Sequence, residues 1–385
     1  MNNVTFLTNS LVAGGAERVL SVVANRLAEE GKQVEIILLE QERFYPLHPS
    51  IKVTNFSNGI SERSTLLKLF MLPFWALKLS RHVREHNIDL IQSHVYRANF
   101  VNLLSKLFGA SHKAQVVEVI AIDFFRSVGF NGLLNLLFIR KLYKYADRVV
   151  CKANRMKISL QDYLPYKINA TIIYNPYNID VIEKKSQEGV SHFEFKAQKR
   201  YVATVGRLNN QKNHKMIMDS MVEMPDDVEL IIIGSGELLN ELEGYAARLH
   251  LQERVHFMGQ QENPFSIIAK CDLFVLASNQ EGFPNVLVEA MLCRVPVVST
   301  DCVSGPREIL AAKSDLLYQL QERFEVTDYG ILTPVNKPDV LADAITFMLN
   351  EPAKAQTMAT NAYQRARDFS VDEIIKHYKE VLCVE

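Results

Sequence analysis

Two clusters of polar side chains interrupt the apolar runs in the second half of the chain, and both carry groups able to do chemistry. The first reads Val205-Gly206-Arg207-Leu208-Asn209-Asn210-Gln211-Lys212-Asn213-His214 and follows a β-branched run. Gly206 lets a ligand approach the backbone closely. Arg207 offers a forked cation and Lys212 a point charge, a combination that suits a diphosphate. A solvated basic loop would carry the same charges. The second cluster reads Glu281-Gly282-Phe283-Pro284-Asn285-Val286-Leu287-Val288-Glu289-Ala290-Met291. Phe283, Pro284, Asn285 and Val286 open a predicted helix, with Pro284 in its first turn. The N–H groups of such a start hold phosphate oxygens. Glu281 stands on the preceding loop. Glu289 lies eight residues on, a little over two helical turns, in an otherwise apolar stretch. A carboxylate there is costly unless a partner satisfies it. Ribose hydroxyls would do so, and so would a neighbouring Arg or Lys.

The first half offers weaker signals. Gly14-Gly15-Ala16-Glu17-Arg18 follows the opening apolar run and reads as a phosphate-side glycine loop or as ordinary turn chemistry. His94 closes another run as Ser93-His94; it faces a ligand cleft or serves the core. Asp123 ends the segment Val117-Glu118-Val119-Ile120-Ala121-Ile122-Asp123. Gly234-Ser235-Gly236-Glu237 is only a fragment of a dinucleotide fingerprint.

These residues need a scaffold, and the hydrophobic pattern supplies one. Apolar runs at residues 4–8, 34–39, 88–92, 115–121, 148–151 and 171–174 alternate with helical patterns, the first from about Ala16 to Glu30 and closed by Gly31. Residues 175–199 are polar and read as a linker. The rhythm then restarts at 201–205, 228–233, 255–258, 273–276 and 295–299, and helical patterns fill the chain from about Pro338. The expected fold is α/β: two Rossmann-like, doubly wound domains facing a central cleft. Residues 1–175 form the first and 176–364 the second, and a helix at about 365–385 packs back on the first. Ligands of such sheets bind at the carboxyl ends of the strands, where both clusters lie.

Composition narrows the classes. The chain has 385 residues, more than one hydrophobic core usually serves. It is 48% hydrophobic and 23% charged, which excludes disorder. A net charge of -1 gives no field for nucleic acid. The five cysteines show no CxxC spacing, which fits a reduced cytoplasmic compartment. Met1-Asn2-Asn3-Val4-Thr5-Phe6-Leu7 lacks a basic region and a long apolar core, so no signal peptide is expected. No Asp-x-Asp, His-Glu-x-x-His, Gly-x-Ser-x-Gly or Walker A sequence occurs, which weakens the metal-dependent transferase, metalloprotease, hydrolase and NTPase readings.

The two clusters together resemble the retaining GT-B glycosyltransferases of family 4, whose signature is two glutamates separated by seven residues downstream of a Gly-Arg-Leu…Gln-Lys-Asn segment. The resemblance covers nearly the whole chain. It implies that Arg207 and Lys212 bind the donor diphosphate, Glu281 the donor sugar and Glu289 the nucleotide ribose. It places Gly14 and Gly15 near the donor phosphates and the acceptor, and assigns base reading to Val255-His256-Phe257-Met258-Gly259-Gln260. Cys302-Val303-Ser304-Gly305-Pro306-Arg307-Glu308 resembles a segment of transferases that build bacterial surface glycans; Arg307 also reads as a simple partner for a carboxylate. Many relatives carry a histidine near the sugar 6-hydroxyl where this chain has residues 117–123 and Asp123. That departure leaves sugar specificity open.

The resulting expectation is a retaining hexosyl- or N-acetylhexosaminyltransferase. Its donor is a nucleoside diphosphate sugar, with uridine diphosphate as the expected carrier. Its acceptor is a glycan on a polyprenyl diphosphate, no cofactor or metal is expected, and Arg207, Lys212 and Glu281 are the catalytic candidates. A GT-B-fold epimerase and a non-enzymatic nucleotide-sugar binder are the rival readings. Residues 66–78 with Arg81 and Arg84, and residues 130–145 with Arg140, Lys141 and Lys144, mix large apolar side chains with cations. Neither is long enough to span a bilayer, and both have the composition of interfacial helices. The expected location is therefore the inner face of the cytoplasmic membrane, as a peripheral protein.

Overall fold

A computed structural model of the chain describes residues 3–12, 14–56, 65–191 and 193–383. Met1 and Asn2 of the N-terminal reading, and the side chains of Leu66 and Leu67 in the first amphipathic segment, lie outside the described residues. The chain divides into two compact units: residues 1–177 with 369–385, and residues 178–368.

Among the described residues, the first unit holds seven parallel strands: β1 (Asn3–Thr8), β2 (Gln33–Leu38), β3 (Lys52–Asn55), β4 (Leu90–His94), β5 (Lys113–Glu118), β6 (Arg148–Cys151) and β7 (Ala170–Ile172). Their order is β3-β2-β1-β4-β5-β6-β7. The strand direction of winding reverses between β1 and β4, which pair directly with Thr5 opposite Ile91. Helix Gly15–Glu29 follows β1 and buries Val19, Leu20, Val23, Ala24 and Leu27 against the sheet, one face at helical spacing. Gly31, at φ 81°, ends that turn in the left-handed region that favours glycine. The C-terminal helix Val371–Leu382 belongs to this unit. Tyr378 is fully buried, Lys379 pairs with Glu30 at 3.0 Å, and Gln115 Nε2 donates to the Val381 carbonyl at 2.5 Å.

The second unit holds β8 (Arg200–Val205), β9 (Val228–Ile233), β10 (Val255–Phe257), β11 (Leu273–Leu276), β12 (Val297–Thr300), β13 (Glu325–Val326) and β14 (Ile331–Thr333), in the order β10-β9-β8-β11-β12-β14-β13. All pairs are parallel except β13 with β14. Val202, Leu230, Ile232, Leu273, Val275 and Val298 from its strands share one core with Met216, Ile217 and Leu341 from its helices. The winding reverses between β8 and β11, the counterpart of the β1–β4 point in the first sheet.

Several expectations change. The stretch 175–199 is not all linker: it contains helix Ile179–Ser186, capped by Asn178, whose Oδ1 accepts the Val181 N–H at 3.2 Å. One buried side chain, Ile182, gives that helix too weak a periodicity to read. Strands β3, β13 and β14 are too short or too polar to register as apolar runs. The first amphipathic segment breaks into helices Thr65–Phe70 and Leu72–His86, with Pro73 tolerated in the first turn of the second. No helix among the described residues is long and apolar enough to cross a membrane.

Candidate functional site

In a doubly wound sheet the crevice for a ligand opens where the winding reverses, at the carboxyl ends of the strands. In the second unit those strands are β8 and β11, and the two polar clusters follow them directly. The fold thereby brings Lys212 to Glu281: Nζ and Oε1 are 2.6 Å apart, with side chains 18% and 8% exposed. Neighbouring amides fasten the two loops. Gln211 Nε2 donates to the Gln280 carbonyl at 2.9 Å, and the Asn279 N–H donates to the Gln211 carbonyl at 2.8 Å. Asn213 Nδ2 donates to Oδ1 of Asn279 at 3.1 Å and of Asn336 at 3.0 Å. Asn213 and Asn336 both sit at positive φ, which Asn tolerates better than most residues. No spacing in the sequence announces this amide staple. The run Asn209-Asn210-Gln211 was its only sequence signal, and polar runs usually mean solvent.

Arg207 behaves differently from Lys212. It is exposed, and its guanidinium has no hydrogen-bond partner among the described residues. Gly206 packs against the other cation: a Cβ there would meet the Lys212 methylenes at 3.2 Å, a tight contact. The fragment Gly234-Ser235-Gly236 follows β9 and has a packing explanation. A Cβ on Gly234 would fall 1.9 Å from the Gly206 carbonyl oxygen, and one on Gly236 2.4 Å from that of Leu208. The Leu208 N–H donates to the Ser235 carbonyl at 2.9 Å. The glycines of one strand end therefore let the Arg207 loop lie directly on them.

Glu281 lies on the loop before the helix and Glu289 within it. Residues 281–284 are irregular and the helix runs Asn285–Leu292, so Pro284 occupies the N-cap and not the first turn. Glu289 is consequently one turn into that helix and 3% exposed. Phe283 and Pro284 are buried, while Asn285 and Val286 are half-buried at the helix start. His214 opens helix His214–Met221; burial, and then the Lys212 charge, push its imidazole down to about 4. Among the described residues no group of three or more His, Cys, Asp or Glu side chains could hold a metal ion.

The candidates of the first unit gather at its own reversal point and the strand beside it. Gly14 caps helix Gly15–Glu29, and its carbonyl accepts the Tyr45 hydroxyl at 3.1 Å. His94 ends β4 but is turned inward: it is 1% exposed, its Nε2 meets Gln92 Oε1 at 3.2 Å, and its ring stands edge-on to Phe6. Burial, and then the charge of Lys152, hold its pKa well below the usual histidine value. His94 is thus a buried histidine whose Nδ1 has no hydrogen-bond partner among the described residues. The next residue, Val95, holds φ at 64°, a strained conformation for a β-branched side chain. Asp123 opens helix Asp123–Ser127; its Oδ1 accepts from Arg126 at 3.2 Å, while its buried Oδ2 has no partner.

The first unit also holds a buried carboxyl that the sequence does not single out. Glu118, at the end of β5, accepts from Tyr96 Oη at 2.6 Å and from Tyr143 Oη. Burial pushes its carboxyl up to about 7, although both hydroxyls favour the ionised form.

The two amphipathic segments are partly exposed. Phe74 and Leu77 on helix Leu72–His86, and Phe130, Leu133 and Leu137 on helix Gly129–Leu142, are between 44% and 69% exposed. Arg81, Arg84, Arg140, Lys141 and Lys144 are exposed as well. Two expected membrane-facing cations point elsewhere. Lys68 pairs with buried Glu40 at 3.1 Å, and Lys78 Nζ donates to the Phe56 carbonyl at 2.6 Å.

Comparison with known proteins adds to this geometry. Residues 187–365 match the family described as glycosyl transferases group 1, and residues 13–181 match glycosyltransferase family 4. An uncharacterized glycosyltransferase of Methanocaldococcus jannaschii is 30% identical over 346 residues, covering 82% of this chain and 84% of that protein. The N-acetylgalactosamine-N,N'-diacetylbacillosaminyl-diphospho-undecaprenol 4-alpha-N-acetylgalactosaminyltransferase of Campylobacter jejuni is 28% identical over 369 residues, 95% of each chain. Among solved structures, Anabaena HepE in complex with UDP-glucose superposes with a TM-score of 0.77 at 24% identity over 99% of both chains. Sucrose-phosphate synthase from Thermosynechococcus elongatus does so with a TM-score of 0.82 at 16% identity over 98% of both. With two wound sheets and a polar pair at the reversal point of the second, this chain belongs to the group 1 glycosyltransferases of family 4 and has their GT-B fold.

Proposed function

We propose that this enzyme moves a hexose or N-acetylhexosamine from a uridine diphosphate sugar to a glycan on a polyprenyl diphosphate, with retention and without a metal ion. The observation that carries the reading is the Lys212–Glu281 pair at two neighbouring strand ends, beside the free guanidinium of Arg207. Arg207, Lys212 and the start of helix Asn285–Leu292 neutralise charge that grows on the departing diphosphate. Glu281 orients the sugar and Glu289 the ribose. The bond from the anomeric carbon to the diphosphate oxygen breaks as the acceptor oxygen bonds to the same face. A phosphate oxygen takes the acceptor proton.

The donor class is supported by HepE, solved with UDP-glucose, and the acceptor class by the name of the Campylobacter relative. The exposed apolar and basic side chains of the first unit support peripheral binding to the inner face of the cytoplasmic membrane. The test is a panel of labelled uridine diphosphate sugars, with a polyprenyl-diphosphate-linked glycan as acceptor and chelator present throughout. One donor should give a labelled glycolipid whose new linkage keeps the donor's anomeric configuration. Epimerised donor without glycolipid, or activity only after manganese is restored, would refute the reading.

A further inference from the structure

The segment from Asp301 to Glu308 is absorbed by none of the roles above, yet it touches the Glu281 loop at three points. The Val303 carbonyl accepts the Glu281 N–H at 3.4 Å. Ser304 Oγ donates to the Gly282 carbonyl at 2.8 Å. Gly305 packs on Pro284 so closely that a Cβ would lie 2.4 Å from Pro284 Cδ. The contact has a conformational cost: Ser304 sits at φ 70° and Gly305 at φ 91°. A serine in the left-handed region persists only where its surroundings over-determine it.

Those surroundings are built around one buried ion pair. Asp301 is 1% exposed and Arg307 5%. Arg307 Nε donates to Asp301 Oδ1 at 3.0 Å, and Nη2 to Oδ2 at 2.7 Å. The same guanidinium donates to Ser314 Oγ at 3.1 Å and to Glu325 Oε2 at 2.9 Å. The Leu320 N–H and the Gln319 amide reach the Asp301 carboxylate and carbonyl at 2.9 and 3.1 Å. The long irregular stretch 311–324 is thereby tied to the end of β12. None of these bonds reaches Glu281 or Lys212, so any effect on them passes through the backbone of residues 302–305.

We propose that Ser304 and Arg307 are positioning residues for sugar transfer: the Asp301–Arg307 pair holds the Ser304 turn, and that turn sets Glu281 against Lys212. The inference rests on the assignment of Glu281 to the donor sugar. A turn that slackens costs turnover more than nucleotide binding, because the ribose-side contact is on the helix and not on the loop.

Ser304→Ala removes one hydrogen bond and leaves the backbone requirement unchanged, so it is the cleanest variant. Turnover at saturating donor should fall about tenfold, the effect of one lost hydrogen bond. The Kd for free uridine diphosphate should stay near wild type, and the melting temperature should fall by no more than a few degrees. In a Glu281→Gln background the same change should cost almost nothing further, since the group being positioned is already disabled. Arg307→Lys, which keeps the charge but loses the fork, should show the same loss of turnover and the same spared uridine diphosphate Kd, with a lower melting temperature. Wild-type turnover in both variants would overturn the proposal, and so would losses that multiply in the Glu281→Gln background. If the wild-type protein neither binds uridine diphosphate nor transfers sugar, the donor reading itself has failed.

Discussion

Arg207 and Lys212 carry the same charge in different settings, and the difference predicts different behaviour on replacement. Arg207 is exposed and has no partner among the described residues, so its loss should leave the fold intact. Lys212 neutralises a Glu281 side chain that is 8% exposed, so its loss strands a carboxylate. Arg207→Ala should cut kcat about 100-fold or more, the scale seen when one preorganised charge partner of a transition state is removed, with an unchanged Tm. Lys212→Ala should lose both turnover and Tm. Steady-state rates at saturating donor, together with thermal melts, check the pair. Near-wild-type kcat in both would show that neither cation meets the diphosphate.

At the scale of elements, Glu118 joins strand β5 to two helical segments through Tyr96 and Tyr143. Tyr96 also stands edge-on to Phe125 of helix Asp123–Ser127. Burial raises the Glu118 carboxyl from 4.5 to about 7. Between those values the unfolded chain holds it ionised and the folded chain holds it protonated. The unfolded state then binds fewer protons, so this group lowers stability as pH rises through the window. Glu35 acts in another range. Its own burial opposes the shift, but bonds from His82, Thr54 and Lys52 bring it down to about 2, so its contribution is lost only as pH falls below 4.5. Glu118→Gln should therefore flatten the Tm profile between about pH 5 and about pH 7. Parallel slopes for variant and wild type would show that Glu118 is ionised in the fold.

At the scale of the whole molecule, the first unit displays two outward rows of like design. On helix Leu72–His86 the row is Phe74, Leu77, Arg81, Arg84; on helix Gly129–Leu142 it is Phe130, Leu133, Leu137, then Arg140 and Lys141. The spacing of three and four residues keeps each row on one helical face, apolar first and basic later. Both helices pack against helix Tyr96–Leu107. In each row the apolar side chains precede the cations along the helix. Such a face suits an anionic bilayer, with apolar groups in the acyl boundary and cations at the headgroups. Wild-type protein should co-sediment with phosphatidylglycerol vesicles, less so at high salt. At about 1 kcal/mol per cation, changing Arg81, Arg84, Arg140, Lys141 and Lys144 to Glu should abolish pelleting. Lys68 is left out because it pairs with buried Glu40, and Lys78 because its ammonium already donates to the Phe56 carbonyl. If wild type ignores anionic vesicles, peripheral membrane binding fails.

The sequence by itself determined the class of the molecule. Continuous apolar runs of strand length alternating with period-3.6 patterns specify wound α/β sheets, because parallel strands are buried on both faces and their crossover helices on one, and the strand-end position of Arg207, Lys212, Glu281 and Glu289 follows from that pattern. It did not determine what each polar side chain meets, because partners lie far apart in sequence: Lys212 and Glu281 are 69 residues apart, and Gln115 and Val381 are 266 apart. Only packing decided that His94 turns into the core, that Lys68 serves Glu40, and that Ile182 anchors a helix inside an apparent linker. The glycines divide the same way. Gly31 reads as a helix end from local conformation alone, whereas Gly234 and Gly305 are required by the approach of Gly206 and Pro284, contacts that exist only once the sheet has aligned its strand ends.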